Sequence, residues 1–355
     1  MNTYSVRVAT AVVIANMIGT GVFTSLGFQL LDIQSTTGIL WLWAIGGVCA
    51  LSGALCYAEL GARNVGSGGE YHFLTELVHP YAGFVSGCVS ATVGFAAPIA
   101  LASLTFGVYL ATALPAVPAK LSATLLILVM VALHTRTRRD SAQGQFALTL
   151  LKIVLIVVFV ATALIVGADY DHQLSGPVFS GADDMLSGGG AVALIYVMYA
   201  YSGWNAATYI LGELEDPQRD LPRALIVGCI IVTCIYVALN AVFLISAPID
   251  ELRGEVEVAY IVADYVVGGQ GAFAVSLLLS GILISTVSAM IMAGPRALQR
   301  LGEAYSGFSL LGRPNKAGIP ANAIFFMGFM ALIFLWTSSF EKILLFSGFV
   351  MAANT

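Results

Sequence analysis

Charge is what this chain has least of. Asp, Glu, Lys and Arg make up 10% of its 355 residues and apolar residues 59%, against roughly 25% and 45–50% in soluble domains. That balance excludes an ordinary water-soluble fold. Strand-period alternation over short segments is also missing, which excludes an outer-membrane barrel. Cysteine is scarce and unpaired. Cys49, Cys56, Cys88, Cys229 and Cys234 all lie in apolar stretches without C-x-x-C spacing, so neither a disulfide scaffold nor a zinc site is indicated. His72, His79, His134 and His172 fall in loops or at helix ends and show no HExxH-type spacing. With no G-x-S-x-G motif and no nucleophile–base pair in the apolar segments, the chain does not read as an enzyme. No catalytic residue, metal ligand or cofactor is assigned. The start does not read as a signal peptide: Arg7 sits inside the first apolar run, and Gly19 and Gly21 interrupt it without a cleavage site.

What is present is a series of runs near the roughly 20 apolar residues that span a bilayer. The expected fold class is an all-α polytopic membrane protein with spans at 6–31, 38–62, 80–112, 119–135, 145–167, 190–212, 223–246, 271–294, 320–338 and 342–355. Loops between them carry turn chemistry, as at Ser35-Thr36-Thr37-Gly38, Pro115 with Pro118, Ser175-Gly176-Pro177 and Gly312-Arg313-Pro314-Asn315. With the N-terminus in the cytoplasm, the inner side holds Arg7, Arg63, Arg136, Arg138, Arg139, Arg219, Arg223, Arg296, Arg300, Arg313 and Lys316. The outer side holds only Lys120, Arg253 and Lys342. The positive-inside rule therefore sets a cytoplasmic N-terminus and a multi-pass location in the cell membrane. The outer acids, among them Asp169, Asp171 and Glu257, have little say in topology. The last stretch, Lys342 to Thr355, has fourteen residues, about 21 Å of helix against a core of roughly 30 Å, so the tenth span reads as cut short.

Two apolar stretches are broken in the middle. One break is Met17-Ile18-Gly19-Thr20-Gly21-Val22-Phe23, within the run from Val6 to Leu31; the other is Ala200-Tyr201-Ser202-Gly203-Trp204, within Gly190 to Leu211. Freeing backbone groups in hydrocarbon costs several kcal/mol each unless something binds them. Paired interruptions in two halves mark a substrate site near the bilayer midplane. Spans 1–5 and 6–10 run in opposite senses, so the expected domains are inverted repeats at 1–168 and 189–355. Gly19 and Gly21 let the chain leave helical geometry, and the half-helix that follows offers N–H groups and a positive dipole end to a carboxylate. Ser202-Gly203 exposes carbonyls suited to an ammonium. Together they match the backbone of an α-amino acid. Glycine used only for close helix packing is the plainer reading of either break alone.

Lys152 lies seven residues into the run 145–167. A charge there is expensive and marks function, unless the lysine snorkels to the inner interface. The loop Gly212 to Arg223 carries Pro217, Pro222 and mixed charges. It reads either as a solvated loop or as part of an inner gate, in a network with Glu59 and Arg63. No acidic residue lies deep in a span, which favours a neutral substrate over a cation.

Several motifs occur in order: Gly19-Thr20-Gly21-Val22-Phe23, Gly53-Ala54-Leu55-Cys56-Tyr57-Ala58-Glu59-Leu60-Gly61, Ser67-Gly68-Gly69-Glu70-Tyr71, Tyr201-Ser202-Gly203-Trp204-Asn205 and Glu215-Asp216-Pro217-Gln218-Arg219-Asp220-Leu221-Pro222. In these the chain resembles the amino acid–polyamine–organocation family over nearly its whole length, nearest the L-type amino acid transporters and their bacterial relatives. The resemblance implies a five-plus-five inverted-repeat fold with broken helices 1 and 6, usually followed by two further spans. It implies that Ile18, Gly19, Thr20 and Gly21 bind substrate carboxylate and that Tyr199, Ala200, Ser202 and Gly203 bind substrate amine. Tyr199 matches an aromatic gate that closes over substrate on the outer side. Lys152 matches a span-five lysine that stands where sodium-coupled relatives hold an ion. Eukaryotic L-type members bond a single-span partner through a cysteine in the loop between spans 3 and 4. Ala111 to Lys120 has none, so no disulfide-linked partner subunit is expected. The implied function is secondary transport of neutral amino acids, by sodium-independent exchange or proton symport. A polyamine or other organocation transporter and a non-transporting fragment are the alternatives. The expected partners are the amino acid, protons and the lipid bilayer, with no nucleic acid.

Overall fold

The computed structural model describes residues 4–136, 142–166, 182–316 and 318–355. Arg138, Arg139, Asp169, Asp171 and the Ser175-Gly176-Pro177 turn lie outside the described residues. The chain is helical throughout this range, with a single isolated bridge between Tyr4 and Leu214 as its β-type pairing among the described residues. In order, the helices begin with α1 (Val6–Met17), α2 (Gly21–Asp32), α3 (Thr36–Arg63), α4 (Glu70–Leu77) and α5 (Pro80–Val89). A π-helical turn, Ser90–Gly94, joins α5 to α6 (Ala96–Ala113), which is followed by α7 (Ala119–Arg136), α8 (Ala142–Val166), α9 (Ala182–Met185) and α10 (Gly188–Tyr201). A 3-10 segment, Ala206–Glu213, leads to α11 (Pro217–Ser246), α12 (Ile249–Leu252), α13 (Val258–Ala293), α14 (Pro295–Ala304), α15 (Ser309–Gly312), α16 (Ala321–Thr337) and α17 (Phe340–Asn354).

Helix starts follow local chemistry. Ser35, Ser187 and Ser339 each accept a backbone N–H three residues on, at 3.1, 3.1 and 3.4 Å, at the heads of α3, α10 and α17. Pro80 and Pro217 occupy the first turns of α5 and α11, where a missing N–H costs nothing. Seven helical stretches among the described residues are long and apolar enough to cross a membrane. The protein is therefore a multi-pass membrane protein. Its outward faces agree: Val48, Leu55, Leu125, Val158 and Phe329 are all more than half exposed, a surface that lipid accepts and water would not.

The clearest departure from the sequence reading is at span 7. Span 7 begins at Pro217, because a proline in the first turns does not stop a helix, and Asp220 is buried within it. The stretch Gly212 to Arg223 is thus only in part a loop. The stretch Val258–Ala293 is two helices that meet at Gly268 (φ 72°, ψ 173°), so the spanning part of span 8 starts just after that kink, close to the expected 271. The broken sixth span resolves into α10 and the 3-10 segment.

The core lies around the two breaks. Trp43 on α3, Tyr201 on α10 and Tyr236 on α11 are each fully buried and form an aromatic cluster with ring centroids 5.0–6.0 Å apart. Tyr201 donates to the Trp43 carbonyl at 2.9 Å, and the Trp43 indole donates to Gln29 of α2 at 3.1 Å. At the opposite end of the bundle from Arg63 and Arg296, the α12 loop closes over α2. The Gly254 N–H donates to the Gly27 carbonyl at 2.8 Å, and Arg253 Nε donates to the Leu30 carbonyl at 3.0 Å. Close approach requires glycine at 27, since a β-carbon there would stand 2.9 Å from the Leu252 carbonyl oxygen. Gly27→Val should lift this loop, at a cost of about 1–3 kcal/mol for overpacking. The expected readout is a lower midpoint of thermal unfolding in detergent; an unchanged midpoint would show that the loop does not hold α2.

Candidate functional site

The first break starts where Ile18 leaves helical geometry (φ −74°, ψ 83°) after its N–H has bonded the Ile14 carbonyl. The Gly19 N–H turns back onto the Met17 carbonyl at 2.8 Å, and the Phe23 N–H bonds Thr20 at 3.0 Å. Between them, the N–H groups of Thr20, Gly21 and Val22 meet no acceptor among the described residues. They form the positive end of α2. The second break forms at Ser202 (φ −56°, ψ 153°) and Gly203, whose φ of +90° lies in the left-handed region that glycine alone enters at low cost. The Ser202 N–H bonds Tyr199 at 3.0 Å, which leaves the carbonyls of Tyr201 and Ser202 without a donor among the described residues. The two breaks touch: a β-carbon on Gly21 would lie 2.6 Å from the Ala200 Cα, and one on Gly203 would lie 2.9 Å from the Asn16 carbonyl oxygen.

One cavity unites these groups. Gly19, Thr20, Gly21, Tyr199, Ala200, Ser202 and Gly203 line it, together with Asn16, Met17, Glu70 and Arg296. Ile18 stands behind the wall, fully buried, with its carbonyl turned to Lys152. The Tyr199 hydroxyl is 3.5 Å from Thr20 Oγ1, so the gate residue expected from the sequence spans the two breaks. Glu59 and Arg63 lie elsewhere. They pair with each other at 2.5 Å on the exposed end of α3, at 64% and 76% exposure, and form no ion pair with residues 212–223 among the described residues. In their stead Glu213 pairs with Arg296 of α14 at 3.5 Å, and Tyr4 pairs its backbone with Glu213 and Glu215.

Two side chains meet the freed carbonyls. Lys152, 2% exposed, donates to Thr286 Oγ1 of α13 at 2.7 Å and reaches the Ile18 carbonyl at 3.4 Å. It does not snorkel. The Tyr236 hydroxyl lies 2.5 Å from the Met17 carbonyl and 3.0 Å from the Ala200 carbonyl, one acceptor from each break. A hydroxyl has one proton, so it donates to only one of them at a time. Sequence reading passed over Tyr236 and Thr286 because neither is charged; the available signal was a hydroxyl in the middle of an apolar span. It also left out Glu70, which lies between spans 2 and 3 and enters the cavity wall only through folding. Among the described residues no three His, Cys, Asp or Glu side chains gather as a metal site.

Free N–H groups on one side, free carbonyls on the other and a buried amine behind them offer partners of both signs to a ligand. The match to a family model completes the argument: residues 4–354 fit the family described as amino acid permease. The chain belongs to the amino acid permease family. Permeases are transporters, not enzymes. This permease is 29% identical over 334 residues to the mouse b(0,+)-type amino acid transporter 1, covering 91% of the chain and 68% of the relative. It is 27% identical over 357 residues to the human large neutral amino acids transporter small subunit 2 (96% and 65%). A human cystine/glutamate transporter is 31% identical over 248 residues (68% and 49%). The permease thus spans between about half and about two thirds of the length of these relatives.

Tyr236→Phe in this permease should remove the one donor that the Met17 and Ala200 carbonyls share, a loss worth about 1–3 kcal/mol. The expected outcome is a loss of amino acid affinity of about tenfold, measured by equilibrium binding of labelled substrate to purified protein. Unchanged affinity would show that the hydroxyl does not hold the breaks in their binding geometry.

Proposed function

We propose that this permease moves amino acids across the membrane by alternating access, as sodium-independent exchange or proton symport of neutral substrates. The observation that carries the reading is the pairing of free N–H groups at α2 with free carbonyls at the end of α10, across one cavity. An α-carboxylate fits the first set and an α-ammonium the second, so the part common to all amino acids is recognised by backbone and the side chain is left to the rest of the cavity. Thr20 and Tyr199 close the substrate side, and Lys152 holds the Ile18 carbonyl.

Lys152 supports sodium independence. Its ammonium occupies the space between the Ile18 carbonyl and Thr286 Oγ1, where a cation bound by oxygen ligands would otherwise sit. A fixed positive charge repels a second one. Neutral selectivity is supported by the cavity wall: its one carboxylate, Glu70, has its oxygens engaged by Asn205 and Tyr209. In the proposed topology residues 1–168 and 189–355 are inverted repeats, the N-terminus is cytoplasmic and the membrane is the cell membrane. Without a cysteine in Ala111 to Lys120, the permease works without a disulfide-linked partner.

The test is uptake and efflux of labelled neutral amino acids in proteoliposomes, with and without sodium and a pH gradient. Flux that ignores sodium is expected; strict sodium dependence would overturn the coupling assigned to Lys152. Lys152→Ala should insert normally and lose most of its flux, and wild-type rates would remove its role. A β-carbon at Gly19 meets nothing nearer than 4.0 Å. Gly19→Leu should therefore fold, project into the cavity and abolish amino acid binding, whereas unchanged affinity would refute the site.

A further inference from the structure

The loop between α3 and α4 places a carboxylate where carboxylates seldom stand alone. Glu70, the first residue of α4, is 1% exposed and joins no ion pair among the described residues. Its oxygens accept from two neutral donors, Asn205 Nδ2 and the Tyr209 hydroxyl, the latter at 2.6 Å. Both donors belong to the stretch that follows the second break. The same loop makes two more ties to that stretch. Ser67 Oγ accepts the Gly212 N–H at 3.0 Å. Gly69, at φ +59°, lies beneath the Tyr209 ring, 2.7 Å from ring carbon to a would-be β-carbon. The loop therefore clasps the 3-10 segment from Asn205 to Gly212, and Glu70 is the buried centre of the clasp.

A buried carboxylate needs a countercharge or a proton. No cation pairs with Glu70 among the described residues. The titratable groups that face it are Tyr57 on α3 and Tyr209 on the 3-10 segment; Tyr199 on α10 and Arg296 on α14 line the same cavity, and the Arg296 guanidinium is engaged by Glu213. On α4 itself the neighbouring Tyr71 interacts with Tyr305, Arg300 and Glu76.

We propose that Glu70 is a positioning residue of the substrate site: through Asn205 and Tyr209 it sets the Ser202-Gly203 turn, and it releases that turn when it gives up a proton. The proposal rests on the transport reading, in which the 3-10 segment is a moving wall of the cavity. Burial holds the Glu70 carboxyl above the usual carboxylate range, against the opposing hydrogen bonds from Tyr209 and Asn205. The clasped state therefore binds the proton more tightly than a state in which loop and 3-10 segment have parted and the carboxyl is hydrated. Protonation favours the clasp. Raising the pH through the elevated value ionises Glu70 and favours parting.

The experiment is amide hydrogen exchange over a pH series on the full chain in lipid nanodiscs, corrected for the intrinsic exchange rate, with flux measured on the same preparations. In the wild type, protection of residues 205–213 should fall as pH rises, by about tenfold for each unit separating the clasped and hydrated carboxyl. Glu70→Gln should keep protection high and independent of pH, with flux slowed across the range; Glu70→Asp should restore a pH-dependent transition. Tyr209→Phe removes a donor to the ionised form, so its transition should move to higher pH. A wild-type pH profile of protection in Glu70→Gln would overturn the proposal. So would an unshifted transition in Tyr209→Phe, which decides the matter should Glu70→Gln fail to fold. A lost transition with normal flux would sink the clasp alone. An intact, Glu70-dependent transition without flux in any sample would uphold the clasp and count against the transport reading.

Discussion

Backbone groups without partners are the constraint around which this molecule is arranged. In a bilayer an α-helix is stable because every N–H and C=O is answered within it. This chain gives that up twice, at Ile18–Thr20 and at Ser202–Gly203, and surrounds both places with tyrosine, lysine and closely packed backbone. The Tyr236 hydroxyl stands between the Met17 and Ala200 carbonyls, and the Lys152 ammonium between Ile18 and Thr286. Thr20 and Gly21 at the head of α2 and Ser202 after α10, which carry free backbone groups, line a cavity. Everything else in the core, from the Trp43–Tyr201–Tyr236 cluster to the contact of Gly21 with Ala200, holds these two interruptions side by side.

That arrangement joins the breaks to one another and to their surroundings. A hydroxyl with one proton and two acceptors ties α1 to α10 through α11, so a shift of either break changes the partner of the other. Lys152 ties α8 to α13 across the first break in the same way. Glu70 adds a third tie, from the loop before α4 to the stretch after the second break. The three side chains come from different parts of the chain, and each acts on backbone or on residues next to backbone. A site built from backbone groups recognises the common part of a class of substrates, which suits a family whose members are named for quite different amino acids.

The opposite end of the bundle is closed by the loop over α2. Arg253 and Gly254 bond the last carbonyls of α2, and Phe28 stacks on Phe340 with centroids 5.7 Å apart. Arg253 also pairs with Asp250 at 3.6 Å, and Tyr265 donates to Glu251 at 2.6 Å, so polar ties stand beside the apolar ones here too. The end that carries Arg63 and Arg296 is built from ion pairs and hydrogen bonds: Arg296 with Glu213, Tyr4 with Glu213 and Glu215, Glu70 with Asn205 and Tyr209. Polar ties of this kind exchange partners with water at small net cost, whereas buried apolar surface does not.

Much of this was legible in the amino-acid order. Long apolar runs with little charge dictate membrane helices, because no other structure satisfies a backbone in hydrocarbon. Glycines in the middle of two such runs dictate where the backbone is released. Lys152 announces itself because a charge at that depth is too costly to be idle. Other features could be settled only by folding. Tyr236 and Thr286 are ordinary residues of apolar helices until packing brings their hydroxyls to a freed carbonyl and an ammonium. Glu70 reads as a loop acid until α4 and the 3-10 segment enclose it. Glu59 and Arg63, one helical turn apart, pair with each other because nearest neighbours on a helix surface need no tertiary contact to meet. Composition and periodicity determine which groups are left without partners; only the three-dimensional packing decides which side chain, from how far along the chain, arrives to meet them.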